Sequence, residues 1–112
     1  MGSPSLFNVQ PLTAGLAAQT MDASIANVFT LTLTTNTTLA IKNGQPGVPI
    51  YISLLQDATG NKTVAYNGAG GMTIIGPTTT VATVGDSVTC LIVMPLSYTV
   101  AIVVSNRKTS NL

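Results

Sequence analysis

A two-residue alternation constrains this chain more than any other feature. In the stretch 28–34, Phe29, Leu31 and Leu33 fall on one side and Thr30, Thr32 and Thr34 on the other. Successive side chains leave an extended backbone in opposite directions, so this pattern is a half-buried strand with a threonine-coated outer side. Leu39 and Ile41 continue it. After the turn-rich Asn43-Gly44-Gln45-Pro46-Gly47, the alternation returns with Ile50, Ile52 and Leu54 opposite Tyr51, Ser53 and Leu55.

Asp57-Ala58-Thr59-Gly60-Asn61 reads as a tight connection into the β-branched run Thr63-Val64-Ala65-Tyr66, which predicts a hairpin of 50–56 with 62–66. Gln56, Asp57, Thr59 and Gly60 are the candidate structural turn residues. Gly60 is expected at positive φ, a conformation glycine adopts freely. Gly68, Gly70 and Gly71 lead to the run 72–75. Gly76-Pro77 and three threonines mark a loop before 81–84, and Gly85-Asp86 turns the chain again. The most apolar runs, 88–94 and 98–104, are separated by Pro95-Leu96-Ser97, where the chain reverses; they are expected to be central strands.

Before Asn27 the pattern weakens. Leu12, Leu16, Ala17, Ala18, Met21 and Ile25 are roughly helically spaced, but Gly15, two prolines and several hydroxyl residues oppose a long helix. Residues 1–26 are read as an extended N-terminal arm with at most one helical turn. Its apolar residues Phe7, Leu12, Leu16 and Ile25 are candidates for contact with another chain. Residues 27–112 are then one domain of a size that supports a single core. Short strands at near-regular spacing favour an all-β antiparallel sandwich or jelly roll. No internal repeat stands out.

Composition narrows the chemistry. The chain has no histidine and no glutamate, which excludes Ser-His-Asp and Cys-His nucleophile systems, histidine metal sites and glutamate general acids. No enzyme activity, metal or cofactor is expected. Asp57 and Asp86 lie in turn sequences, where a carboxylate accepts backbone N–H bonds, so a paired-carboxylate active site is disfavoured. Gly60-Asn61-Lys62-Thr63 only faintly echoes a phosphate-binding loop, because a strand and not a helix follows. Asn36 and Asn61 open glycosylation-type triplets but read as turn residues. Cys90 stands alone in an apolar run and is expected to be a small buried hydrophobe.

Only 6% of residues are charged and the formal net charge is +1, too little to attract nucleic acid or an anionic membrane. The opening Met1-Gly2-Ser3-Pro4 lacks the basic region of a secretory signal, and a non-exported protein is expected. With 46% hydrophobic residues and so few charges, apolar surface is best covered by neighbouring subunits, which points to an oligomer. The tyrosines Tyr51, Tyr66 and Tyr98 fall within predicted strands, which favours packing over a carbohydrate platform.

The alternating stretch 29–39, the Asn43–Gly47 turn, and Gln56-Asp57-Ala58-Thr59-Gly60-Asn61-Lys62-Thr63-Val64 together resemble a β module of tailed-bacteriophage virion proteins. The resemblance extends over about residues 28–104, with the runs 88–94 and 98–104 matching that module's final β pair. Pro95-Leu96-Ser97-Tyr98 stands where the module often has an aspartate-glycine turn and a tryptophan. The resemblance implies a domain of tail fibres, tail tips or capsid decoration (cement) proteins, commonly trimeric. A short arm plus one β domain suits the decoration protein: a homotrimer on the outer surface of the capsid, assembled in the bacterial cytoplasm, whose partner is the major capsid protein. The alternative is a tail-fibre or tail-tip domain that binds host-surface carbohydrate.

Overall fold

A computed structural model of the chain describes residues 8–76 and 83–109. Among these residues the fold is all-β, with about half of them in strands and no helix. The strands are β1 (Val9–Pro11), β2 (Ala18–Asp22), β3 (Val28–Leu33), β4 (Thr37–Lys42), β5 (Ile50–Gln56), β6 (Val64–Ala65), β7 (Thr73–Ile75), β8 (Val88–Pro95) and β9 (Val100–Thr109). They form a six-stranded sheet in the order β1-β3-β5-β8-β9-β7 and a three-stranded sheet in the order β2-β4-β6.

The chain alternates between the two sheets. Strands β1, β3 and β5 pair in parallel in the larger sheet, and β2, β4 and β6 do so in the smaller. Each winding adds one strand to each sheet, which makes the arrangement solenoid-like and not clearly a sandwich or jelly roll. The antiparallel pairing expected throughout is confined to β8, which lies between β5 and β9. A structural repeat therefore exists where the sequence shows none. The pairs Val9 with Val28 and Val28 with Tyr51 show why: the windings lengthen along the chain, leaving no fixed period.

One apolar core lies between the sheets. From β3 it takes Phe29, Leu31 and Leu33; from β5 Ile50, Ile52 and Leu54; from β8 Leu91 and Val93. The smaller sheet contributes Met21, Leu39, Ile41 and Val64. The inward side of each alternation read from the sequence is the buried side here. Each such side chain stabilises the fold by roughly 1.5–3 kcal/mol relative to exposure.

Three expectations are corrected. First, 50–56 and 62–66 do not form a hairpin, because β5 pairs with β3 and β8 while β6 pairs with β4. The Gln56–Thr63 segment carries the chain from one sheet to the other. Second, residues 8–26 are not an arm extending from the domain: β1 and β2 are integral strands, and Leu12 N–H donates to the Thr30 carbonyl at 2.7 Å. Their apolar residues lacked clean alternation because β1 is short and because Gln19, a polar residue, takes one of the two buried positions of β2. Third, β9 begins at Val100, which leaves Tyr98 in the preceding turn. The threonine loop after Pro77 and the start of the run 81–84 lie outside the described residues.

Candidate functional site

Strand direction sorts the loops onto two ends of the molecule. One end holds the β1–β2, β3–β4, β5–β6 and β7–β8 connections, and the other the β2–β3, β4–β5, β6–β7 and β8–β9 connections.

The turn residues singled out from sequence come together at the first end. Asp57 Oδ1 accepts from Thr59 Oγ1 at 2.8 Å, Gly60 N–H at 2.9 Å and Lys62 Nζ at 3.3 Å. The Thr59 hydrogen bond is the main cause that holds the Asp57 carboxyl below its ordinary range, with Gly60 and Lys62 adding to it against partial desolvation. Lys62 Nζ also donates to the Gly60 carbonyl at 2.9 Å. Gln56 is buried, and its amide bonds both backbone groups of Lys62, donating to the carbonyl at 2.8 Å and accepting from N–H at 3.2 Å.

Gly60 has φ of +71° as expected. It also interlocks with the 83–87 turn: a Cβ placed on it would lie 2.3 Å from the Thr83 carbonyl oxygen, and one on Gly85 would lie 2.2 Å from that of Ala58. Asp86 N–H and Asn61 N–H donate across the same seam, to the carbonyls of Asp57 at 3.1 Å and Thr83 at 2.8 Å. This is a structural clasp between two turns. The asparagines read as turn residues serve the same end: Asn36 Oδ1 accepts Thr63 N–H at 2.9 Å, and Asn61 takes φ of +63°.

At the opposite end Asp22 Oδ1 accepts from Ser24 Oγ at 2.6 Å, Ser24 N–H at 2.9 Å and Asn43 Nδ2 at 2.9 Å, while Lys42 Nζ stands 3.9 Å from Oδ2. The Ser24 hydroxyl, then Asn43, lower the Asp22 pKa from 3.8 to about 2. Beside this cluster Tyr98 is 74% exposed. The expectation that all three tyrosines pack within strands therefore fails for Tyr98. Tyr66 packs against the core but lies just beyond the end of β6, and Tyr51 lies half-buried in β5.

The outer face of the six-stranded sheet carries rows of apolar residues. Register places Val28, Tyr51 and Ile92 in one row across β3, β5 and β8. Met94, Ile102 and Ile75 form the next across β8, β9 and β7. All but Ile75 are half-buried; Ile75 is 52% exposed. Farther along, Thr30, Ser53 and Cys90 align, followed by Thr32, Leu55 and Val88. Cys90 is thus exposed on this face and is not the buried hydrophobe expected. In β8 it is Thr89, Leu91 and Val93 that point inward.

The candidate interchain residues do not gather into one surface. Leu12 packs against the core, Leu16 and Ile25 are exposed in the connections at opposite ends of β2, and Phe7 lies outside the described residues. Among the described residues no three His, Cys, Asp or Glu side chains cluster as a metal site. What sequence reasoning missed is the outer sheet face and the Asp22–Tyr98 end. A signal for the latter was present in Ser97-Tyr98-Thr99, where a serine two residues before a threonine can cap its own turn.

No protein-family model matches the chain, and no curated protein or solved structure is significantly similar to it.

Proposed function

We propose that the protein is a non-enzymatic virion structural protein, a capsid decoration (cement) protein that stabilises a phage head by bridging major capsid protein subunits. The observation that carries the reading is the row of partly exposed apolar residues on the outer face of the six-stranded sheet. A strand with one side left to water ordinarily alternates apolar and polar residues, whereas strands apolar on both sides belong to sheets covered on both faces. Here β5 and β8 have that two-sided character, yet Tyr51, Ile92 and Met94 stay partly open beside exposed Leu55 and Ile75. Rows of apolar residues on the outer face of a chain with 6% charged residues fit burial by protein neighbours, first its own copies in a homotrimer and then the shell. In this reading the two facing sheets are the β-sandwich body of a small decoration protein, wound in parallel. It binds no cofactor, nucleic acid or membrane and resides on the outer surface of the capsid, assembled in the host cytoplasm.

The mechanism is avidity. A trimer engages several subunits only where a lattice holds them at matching spacing, and each added contact is effectively intramolecular, raising avidity by roughly 10²–10⁴. Apolar and backbone contacts respond little to salt. Purified protein added to undecorated shells, and separately to free capsid subunits, is expected to bind the shells far more tightly across a range of salt. Equal affinity for both, or loss of binding at moderate salt, refutes the mechanism. Light scattering showing a stable monomer at micromolar concentration removes the trimer.

A further inference from the structure

We infer that the free edge of β2 pairs with β2 of a second copy of this chain, antiparallel and about a two-fold axis at Thr20, so that the two smaller sheets become one. The contact goes beyond the proposed function and uses neither the outer sheet face nor the shell. It can join two trimers as readily as two single chains.

Strand β2 ends the smaller sheet, with β4 on its one paired side. Thr38 N–H donates to the Ala17 carbonyl at 2.8 Å and Ala23 N–H to the Lys42 carbonyl at 2.9 Å, so the odd-numbered residues here turn their backbone groups towards β4. In an extended strand the next residue's groups point the opposite way. Ala18, Thr20 and Asp22 therefore aim theirs outwards, and among the described residues no strand lies there to receive them. The Asp22 carbonyl accepts Ile25 N–H at 3.2 Å, which leaves its second lone pair.

The β1 edge of the same winding is built differently. The Asn8 carbonyl accepts Val28 N–H at 3.1 Å and Leu12 N–H donates to Thr30, so Val9 and Pro11 face outwards. Pro11 has no N–H to offer, and the strand is three residues long. Short length and proline both blunt an edge against pairing, as do lysines and bulges. Strand β2 has five residues and none of these devices: its outward positions are Ala18, Thr20 and Asp22, and its ladder with β4 is unbroken.

The sequence of β2 fits its own copy. With Thr20 opposite Thr20, Ala18 of each copy faces Asp22 of the other, so no like charges are opposed and the threonines form a favourable cross-strand pair. Each of these pairs exchanges two backbone hydrogen bonds, about six in all. Such a contact is isologous, the same patch serving both copies. Leu16 and Ile25, 49% and 58% exposed, flank β2 at opposite ends. Antiparallel pairing sets Leu16 of one copy beside the Ser24-Ile25 step of the other, so apolar side chains meet at both ends of the seam. A parallel pairing would leave Leu16 and Ile25 apart.

The test uses the full chain. Sedimentation equilibrium at micromolar concentration should give an even number of copies. Thr20→Pro removes the outward N–H but no bond to β4, and should halve that mass while circular dichroism stays that of the folded parent. Thr20→Lys, which sets two cations face to face, should also halve it and serves should the proline disturb the strand. In a Cys90→Ser background, Thr20→Cys should form a disulfide-linked dimer on oxidation. Directly opposed positions have Cα atoms about 5.5 Å apart, within disulfide range. Ala18→Cys, whose two copies stand well apart across the axis, should not cross-link. A parent with an odd number of copies, an unchanged mass in Thr20→Lys, or equal cross-linking of the two cysteine variants overturns the inference.

Discussion

Asp57 and Asp22 occupy turns of similar chemistry at opposite ends of the same body. Each carboxylate accepts from a hydroxyl two residues on, from a backbone N–H, and has a lysine nearby. Their surroundings differ. Around Asp57 the cluster is closed: Lys62 folds back on the turn, Gln56 plugs it from beneath, and Gly60 and Gly85 let a second turn interlock with it. Around Asp22 the cluster is open, and its partners Ser24 and Asn43 line hollows beside an exposed tyrosine. The same hydrogen-bonding unit serves as a clasp where backbone packs over it and as a support for a surface where nothing does.

Breaking the closed turn should have the largest effect. A left-handed φ costs a β-branched residue about 1–3 kcal/mol, and at Gly60 a Cβ also meets the Thr83 carbonyl oxygen at 2.3 Å. Gly60→Val is therefore expected to lower stability by roughly 3 kcal/mol or more, read from the shift of a urea unfolding midpoint. An unchanged midpoint would mean that the two turns are not interlocked.

Removal of the plug comes next. Gln56→Leu fills similar space but leaves the Lys62 backbone groups without their partners, for an expected loss of about 1–3 kcal/mol. The same measurement on Asn43→Gly, at the open end, should show a much smaller change. A comparable loss there would erase the contrast between the ends.

Acid tests both carboxylates. The Asp22 pKa lies at about 2, below its ordinary value of 3.8, so the folded state holds that proton less readily than the unfolded state. Its contribution to stability is complete above 3.8 and is lost as pH falls through about 2. Asp57 is depressed in the same direction. Unfolding midpoints should thus decline from about pH 5 to pH 2, and Asp22→Asn or Asp57→Asn should each flatten part of that decline. An Asp22→Asn protein with the parent's full pH dependence would show that the Ser24 and Asn43 bonds do not hold the carboxylate as described.

The smallest effect is expected on the outer sheet face. Cys90→Ser changes an exposed position and should alter monomer stability by less than about 0.5 kcal/mol. A larger loss seen only at concentrations where the protein oligomerises would place Cys90 inside an interface.

The individual strands and the Gly60 turn were legible in the sequence because each depends on its neighbours along the chain. Alternation at Phe29, Leu31 and Leu33, or at Ile50, Ile52 and Leu54, determines which side chains share a face whatever lies across from them. A glycine closing a turn that must reverse within a few residues determines its own φ. Strand partners depend instead on how the whole chain closes. The segment 57–63 has the composition of a hairpin turn, yet Val64 pairs with Thr37 and not with β5, because the chain there crosses to the other sheet. Cys90 was misplaced for a related reason: a strand apolar on both faces has no polar side to mark the outside, and only the core at Leu91 and Val93 settles its orientation. Tyr98 and Ser24 are distant in sequence, so the hollow they both line exists only once β2, β4 and β8 bring their ends together. Local chemistry thus determined the strands and turns of this protein, while their partners, the apolar rows on its outer sheet face and its open end were decided by tertiary closure.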